Sequence, residues 1–408
     1  MFRIVVLWYI FIFLLSLFYT GDLNPLSFNT KILLFLFIIG LSIGGFMASL
    51  QFRNYNNINP PINFNEKLDK PNYFISFLVL YYSVLFLLLI KFILVNGSDI
   101  LVYVRAFVFS SDYQSNPFFI SDLHVFIHRI LIIPSILSLF IIGLKNHFYF
   151  FKNKILYISI FLLLIDSIIM FGRLNLYYMG FMYISTSFII SRNNSFLIFF
   201  FKKFKTKNIF KFFIALSIIF IISSLRSLDN TSTVLLESFN SFIQYNIYGF
   251  RIFDINLNDP YSIIHEHSYG RSFLGQIDSV FSIFYRLTFD ANFLPANSLN
   301  GSFLNTYFDV GNKEVITANA FGTLFFTLYR DFGIYGILFS SLFFGFILNW
   351  FSLKFKYLNN PKDLCIGLLL VYALVFSVYQ SVFEGVFWPM FFIILGSMYF
   401  NKLNFKIK

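Results

Sequence analysis

Charge is scarce in this chain, and acidic charge is scarcest: 19 Asp and Glu stand against 30 Lys and Arg, so that only 12% of 408 residues are charged. That excludes a soluble globular domain, which needs far more solvated side chains on its surface. Cysteine is nearly missing. The single Cys365 lies inside an apolar run, which excludes a disulfide framework even where the chain faces an oxidising compartment. There is no Gly-rich nucleotide loop, no Walker motif, no Ser-His-Asp arrangement and no tandem repeat, so nucleotide-dependent chemistry is not expected. A metal set is missing too. His265, Glu266 and His267 come nearest, but two histidines at i, i+2 with no third ligand at a fixed spacing fit a surface loop or an acid/base role better.

What the chain has in abundance is apolar length. Hydrophobic residues make up 58%, and the 64 Phe fill apolar helices rather than form a binding surface. Apolar runs recur from end to end, each able to cross about 30 Å of hydrocarbon as a helix. Ten spans are expected, at 4–19, 32–50, 73–95, 125–143, 155–171, 174–190, 209–224, 332–351, 364–382 and 385–400. The first resembles a signal peptide, but no small-residue cleavage site follows it, so a retained helix is expected. The fold class is therefore all-α and polytopic. Along the chain it divides into an N-terminal bundle (1–224), a large external loop (225–331) and C-terminal helices (332–408).

The connections alternate in charge. One set holds Arg3, Arg53, Arg192 and 16 lysines, which is 19 of the 30 basic residues. The positive-inside rule makes that set cytoplasmic and puts both termini inside. The net charge of +11 is then an orientation signal, not a nucleic-acid footprint. The other eleven cations are three lysines and eight arginines, among them Arg105, Arg129, Arg173, Arg251, Arg271, Arg286 and Arg330. Arginine offers a planar fork for phosphate or carboxylate and stays charged near lipid, so an anion-binding outer surface is expected.

The external loop is too long to lack structure. In 270–287 apolar residues recur at three- and four-residue steps, with Arg271, Asp278 and Arg286 among them, predicting one interfacial helix. Residues 317–329 repeat the pattern, and 96–113 read as another short interfacial helix. Asp166 lies inside span five, where a carboxylate is a functional candidate; Arg129 as partner and simple interior solvation are the alternatives. Glu384, in the turn between spans nine and ten, is a candidate cap.

The segment "NAFGTLFFTLYRDFGIYGILFSSLFFGFILN" (319–349) resembles the signature of O-antigen polymerases, the oligosaccharide repeat-unit polymerase (Wzy) family. The residues that carry the likeness are Asn319, Thr323, Thr327, Tyr329, Asp331, Phe332, Gly333 and Gly336. "YGRSFLGQIDSVFSIFYRL" (269–287) resembles the helix that precedes it in the family, and "IIMFGRLNLYYM" (168–179) the turn between two central spans. The motifs cover about a fifth of the chain. The family's proline after the loop helix is missing at Tyr285-Arg286.

The resemblance implies a GT-C-like, metal-independent glycosyltransferase without cofactor, at the outer face of the bacterial cytoplasmic membrane. It joins undecaprenyl-pyrophosphate-linked glycans into O-antigen or capsule-type polysaccharide, with membrane lipid and a chain-length regulator protein as partners. Arg105, Arg173, Arg271 and Arg330 are the candidates for holding pyrophosphate, with Arg330 open also to snorkelling toward lipid phosphate. His267, Glu266 and Asp278 are the candidates for taking the acceptor proton. Asp331 is expected to cap span eight and is a candidate for acting on substrate charge. An O-antigen ligase uses the same anion logic. A flippase or transporter would need repeats and broken helices at mid-membrane.

Overall fold

A computed structural model describes residues 1–18, 23–53, 73–96, 118–119, 121–150, 153–169, 174–190, 234–289, 293–304, 306–312, 315–318, 322–358, 360–378 and 380–399. The helices are α1 (Phe2–Phe18), α2 (Phe28–Gln51), α3 (Tyr73–Asn96), α4 (Asp122–Ile127), a π-helical segment (His128–Ile132), α5 (Ile133–Phe150), α6 (Lys154–Ile169), α7 (Leu174–Ile190) and α8 (Val234–Asn258). They continue as α9 (Arg271–Leu274), α10 (Gln276–Phe289), α11 (Ala296–Leu304), α12 (Leu324–Leu358), α13 (Pro361–Phe376) and α14 (Phe387–Tyr399). A two-residue hairpin, β1 (Phe308–Asp309) with β2 (Thr317–Ala318), is antiparallel. Expected span 209–224 and the expected helix at 96–113 lie outside the described residues.

Among the described residues the chain is all-α apart from that hairpin and a single bridge between Leu23 and Gly311, and four helices are long and apolar enough to cross a membrane: Phe28–Gln51, Phe74–Val95, Leu123–Phe148 and Leu324–Leu358. Phe2–Phe18, Leu174–Ile190 and Phe387–Ser397 are shorter and apolar. Two compact units cut across the linear order. One joins Met1–Asn63 with Ser241–Phe392; the other joins Phe64–Asn240 with Ile393–Lys408.

The first unit is built on α2 against α12. Small residues on one face of α2 let the backbones touch: a Cβ on Gly44 would fall 2.0 Å from the Leu342 carbonyl oxygen, and one on Gly345 2.1 Å from that of Leu41. Asn349 Nδ2 donates across the contact to the Gly45 carbonyl at 2.6 Å and to Ser49 Oγ at 2.9 Å. Close backbone approach and interhelical hydrogen bonds of this kind hold helices together where lipid offers little hydrophobic drive. The start of α2 is tied to α8, where Asp254 accepts from the Ser27 N–H at 2.9 Å and from Thr30 Oγ1 at 2.6 Å. In the second unit α6 packs between α3, α5 and α7. Tyr178 donates to the Leu137 carbonyl at 2.9 Å, tying α7 to α5.

Three expected boundaries change. The helix expected over 270–287 breaks at Gly275, whose φ of 48° disfavours any side chain. A Cβ there would also strike the Glu384 carbonyl at 2.1 Å, so the break lets the loop seat on the turn before α14. The helix expected over 317–329 begins only at Leu324, because Thr317–Ala318 pairs as β2. The helix expected from 332 runs on both sides of a kink at Phe332 and Gly333.

Candidate functional site

That kink organises the site. Gly333 has φ 62° and ψ −148°, a region essentially restricted to glycine. Gly336 then backs onto the preceding turn, where a Cβ would lie 2.2 Å from the Leu328 carbonyl oxygen. The two glycines of the Asp-Phe-Gly segment thus break the helix and fold its second half close to the first. The break leaves Arg330 and Asp331 at the end of the first half, both buried.

Asp331 does not cap α12. Its Oδ1 accepts from the Ser272 N–H at 3.0 Å and from the Ser268 hydroxyl; its Oδ2 accepts from the Phe273 N–H at 2.8 Å. Those N–H groups open α9, whose own N-cap, Gly270, offers no side chain. Asp331 is therefore a cap supplied from another element, 58 residues from Phe273 along the chain. The expectation for span eight fails because both Asp331 oxygens are taken up by the N–H groups that open α9. Backbone bonds from Ser268 to the Arg330 carbonyl (2.9 Å) and from Tyr269 to the Asp331 carbonyl (3.2 Å) complete the pin.

From Asp331 a polar network runs inward. Ser268 Oγ and Ser272 Oγ are 2.7 Å apart, and Asn300 Nδ2 reaches Ser272 Oγ at 3.2 Å and Glu384 Oε1 at 2.6 Å. Thr327 Oγ1 donates to Glu384 Oε2 at 3.2 Å. An aromatic floor of Phe273, Phe344, Phe383, Phe387 and Trp388 lies beneath α9, with Trp388 Nε1 donating to the Phe273 carbonyl at 2.9 Å.

Arg330 stands apart within this order. It is 3% exposed, yet Nε and Nη1 of its guanidinium have no hydrogen-bond partner among the described residues. Glu384, Glu266 and Asp331 lie within its electrostatic reach. Arg251 on α8 repeats the pattern: 2% exposed, with all three guanidinium nitrogens unpartnered among the described residues. Burial pushes its guanidinium down to about 10 while Asp254 pulls the other way, so it stays charged at neutral pH. A guanidinium of this kind keeps planar donors available to a carboxylate or phosphate.

The other sequence candidates divide. His267 lies beside the kink, its ring 3.4 Å from where a Gly333 Cβ would be, and His265, Glu266 and His267 are all exposed. Arg271 is a clamp: Nε and Nη2 reach Asp278 at 2.9 and 3.4 Å, Nη2 reaches the Leu294 carbonyl at 2.7 Å, and the group lies 4.1 Å over Phe293. Asp278 also accepts from the Ala296 N–H at 2.7 Å at the start of α11, so both its oxygens are engaged. Arg105 and Arg173 lie outside the described residues. Among the described residues no group of three or more His, Cys, Asp and Glu could hold a metal. Sequence reasoning missed the site roles of Arg251, Ser268, Ser272 and Asn300, and took Glu384 for a cap. Serine and asparagine are too common in loops to signal anything alone.

Glu384 supplies a pH test. Burial pushes its carboxyl up from 4.5 to about 7, against the pull of Asn300, Thr327 and Arg330. Between those values the folded chain holds a proton that the unfolded chain has lost, so stability falls as pH rises through that window, by up to roughly 3 kcal/mol. Above about 7 the ionised carboxylate also competes for Arg330, so anion affinity should fall there. Glu384→Gln should flatten both profiles in thermal melts and anion titrations; unchanged slopes would remove Glu384 from the site.

Compared with protein-family models, curated proteins and solved structures, the chain matches none.

Proposed function

We propose that the protein is a polymerase of lipid-pyrophosphate-linked oligosaccharide repeat units, working without a metal at the outer face of the bacterial cytoplasmic membrane. The observation that carries the reading is the buried Arg330 guanidinium with unpartnered Nε and Nη1, held beside the pinned Asp-Phe-Gly kink. A pyrophosphate leaving group is already activated, and its departure needs charge neutralised more than bonds made. Preorganised arginine donors supply that, because they are aimed before charge develops and need no reorganisation. His267, exposed beside the kink, and the exposed Glu266 are the candidates for taking the proton of an acceptor hydroxyl; Asp278 is less suited, since its oxygens are engaged. The donor is a glycan on undecaprenyl pyrophosphate and the acceptor a single repeat unit on the same lipid. Ten spans, a GT-C-like arrangement, cytoplasmic termini and a chain-length regulator as partner belong to the same proposal.

Deleting the protein from its host separates the readings. A polymerase leaves single repeat units attached to the final acceptor in place of long chains. A ligase leaves long chains stranded on undecaprenyl pyrophosphate, and a flippase leaves unpolymerised units on the cytoplasmic side. Either of the latter outcomes would replace the proposal.

A further inference from the structure

The second unit holds a line of polar groups that the glycosyl-transfer reading does not use. Asp166, on α6, is 2% exposed. Its Oδ1 accepts from the Tyr82 hydroxyl at 2.8 Å and its Oδ2 from Asn175 Nδ2 at 2.7 Å. His128 Nε2 stands 3.6 Å from the same Oδ1 and has no hydrogen-bond partner among the described residues, although the imidazole is fully buried. The other ring nitrogen, Nδ1, is 3.0 Å from the Tyr81 hydroxyl, and that hydroxyl is 2.9 Å from His124 Nε2. His124 is partly exposed. His128 opens the π-helical segment between α4 and α5, a local widening that recurs at functional sites. Among the described residues the polar groups facing this line are Tyr81 and Tyr82 from α3, His124 from α4, His128 and, from α7, Asn175; the neighbouring Arg129 side chain is exposed.

Donor arithmetic makes the line reversible. The Tyr81 hydroxyl has one proton and sits between two imidazole nitrogens, so it donates to one and accepts from the other. When His124 Nε2–H donates to Tyr81, Tyr81 donates to His128 Nδ1, and His128 Nε2–H faces the Asp166 carboxylate. When the line is reversed, Tyr81 donates to His124, His128 Nδ1–H donates to Tyr81, and the bare His128 Nε2 needs a protonated Asp166 opposite it. The two states differ by one proton shifted along each link.

We infer that this line is a proton-loading site, in which His124 takes a proton and passes it through Tyr81 and His128 to Asp166. The step balances. An imidazolium at His124 gives its Nε2 proton to the Tyr81 oxygen. Tyr81 gives its own to His128 Nδ1, and His128 gives its Nε2 proton to Asp166 Oδ1. His124 ends neutral and Asp166 ends as the acid, while Tyr81 and His128 keep their charge. Closing the 3.6 Å gap between His128 and Asp166 is the one movement required. The consequence lies in packing: the Asp166 carboxylate ties Tyr82 on α3 and Asn175 on α7 to α6, and a neutral acid holds both donors less strongly. Proton loading thus relaxes three apolar helices at a shared point. The inference is independent of the reaction proposed for the first unit.

The test uses the purified full chain in detergent, with the proton as probe. Infrared difference spectra on acidification should show a protonated-carboxyl band that Asp166→Asn abolishes. After a pH jump, Tyr81→Phe should slow growth of that band by tenfold or more, equivalent to about 1.4 kcal/mol in the barrier. Tyr82→Phe removes a donor outside the line and should not slow loading. If Asp166→Asn does not fold, Tyr81→Phe and His124→Gln carry the test, since both keep Asp166. A band that survives in Asp166→Asn, or a Tyr81→Phe variant that loads at the unaltered rate, would overturn the inference.

Discussion

Arg330→Met is expected to make the protein more stable and to stop chain growth. The two effects share one cause. A guanidinium that is 3% exposed, with two of its nitrogens unpartnered, is a desolvated cation without full compensation. A buried charge without an ion pair carries an unrecovered desolvation cost, so an apolar side chain of similar length should raise the unfolding temperature where packing is kept. The same change removes the donors that the proposed pyrophosphate would meet. Each charge-assisted hydrogen bond is worth roughly 1.5–3 kcal/mol, or about ten- to a hundred-fold in rate if made mainly in the transition state. Arg330→Lys keeps the charge and loses the fork, so it should lower polymer length with little change in stability. Thermal unfolding of the purified protein and the length distribution of the glycan, measured together, check this. A less stable Arg330→Met protein would mean that Arg330 is a structural residue. Arg3→Lys and Arg53→Lys, on the opposite charge set, should be silent in both measurements.

Asp331 should behave in the opposite way, losing stability on every substitution. Asp331→Ala leaves the Ser272 and Phe273 N–H groups and the Ser268 hydroxyl without an acceptor, at a cost of about 3 kcal/mol or more. Asparagine does not rescue it, although it caps helices well in general. Both carboxylate oxygens accept here, Oδ1 from Ser272 and Oδ2 from Phe273. An amide turned either way aims its NH₂ at one of these N–H groups, which costs about 1–3 kcal/mol. Asp331→Asn should therefore unfold at a lower temperature than the native protein and at a higher one than Asp331→Ala. If Asp331→Ala melts with the native protein, the pin between the kink and α9 does not hold the loop.

Much of the helical layout was legible in the sequence. Long apolar runs allow only helices, since hydrocarbon offers no partner to a free backbone group, and nine of the ten expected segments coincide with helices or parts of helices in the described residues. Arg330 and Asp331 were legible because a charge pair beside an apolar run is out of place in so uncharged a chain; Gly333 and Gly336 stood out only through the resemblance at 319–349. His124 and His128 could have been found: two histidines one turn apart lead into an apolar run, and a second apolar run carries Asp166.

By itself, then, the sequence determined the apolar helices, the likeness at 319–349 and the identity of the unusual charges. Each of those depends on neighbours in the chain, through hydropathy and spacing. Only the tertiary structure decided partners. Asp331 serves the backbone of α9, Arg271 is taken up by Asp278, Glu384 meets Asn300 and Thr327, and Arg330 is left open. Apart from Asp278, seven residues from Arg271, the partners are tens of residues away. A hydrogen bond is short and directional, so which of several polar side chains receives it is settled by packing at the level of an ångström.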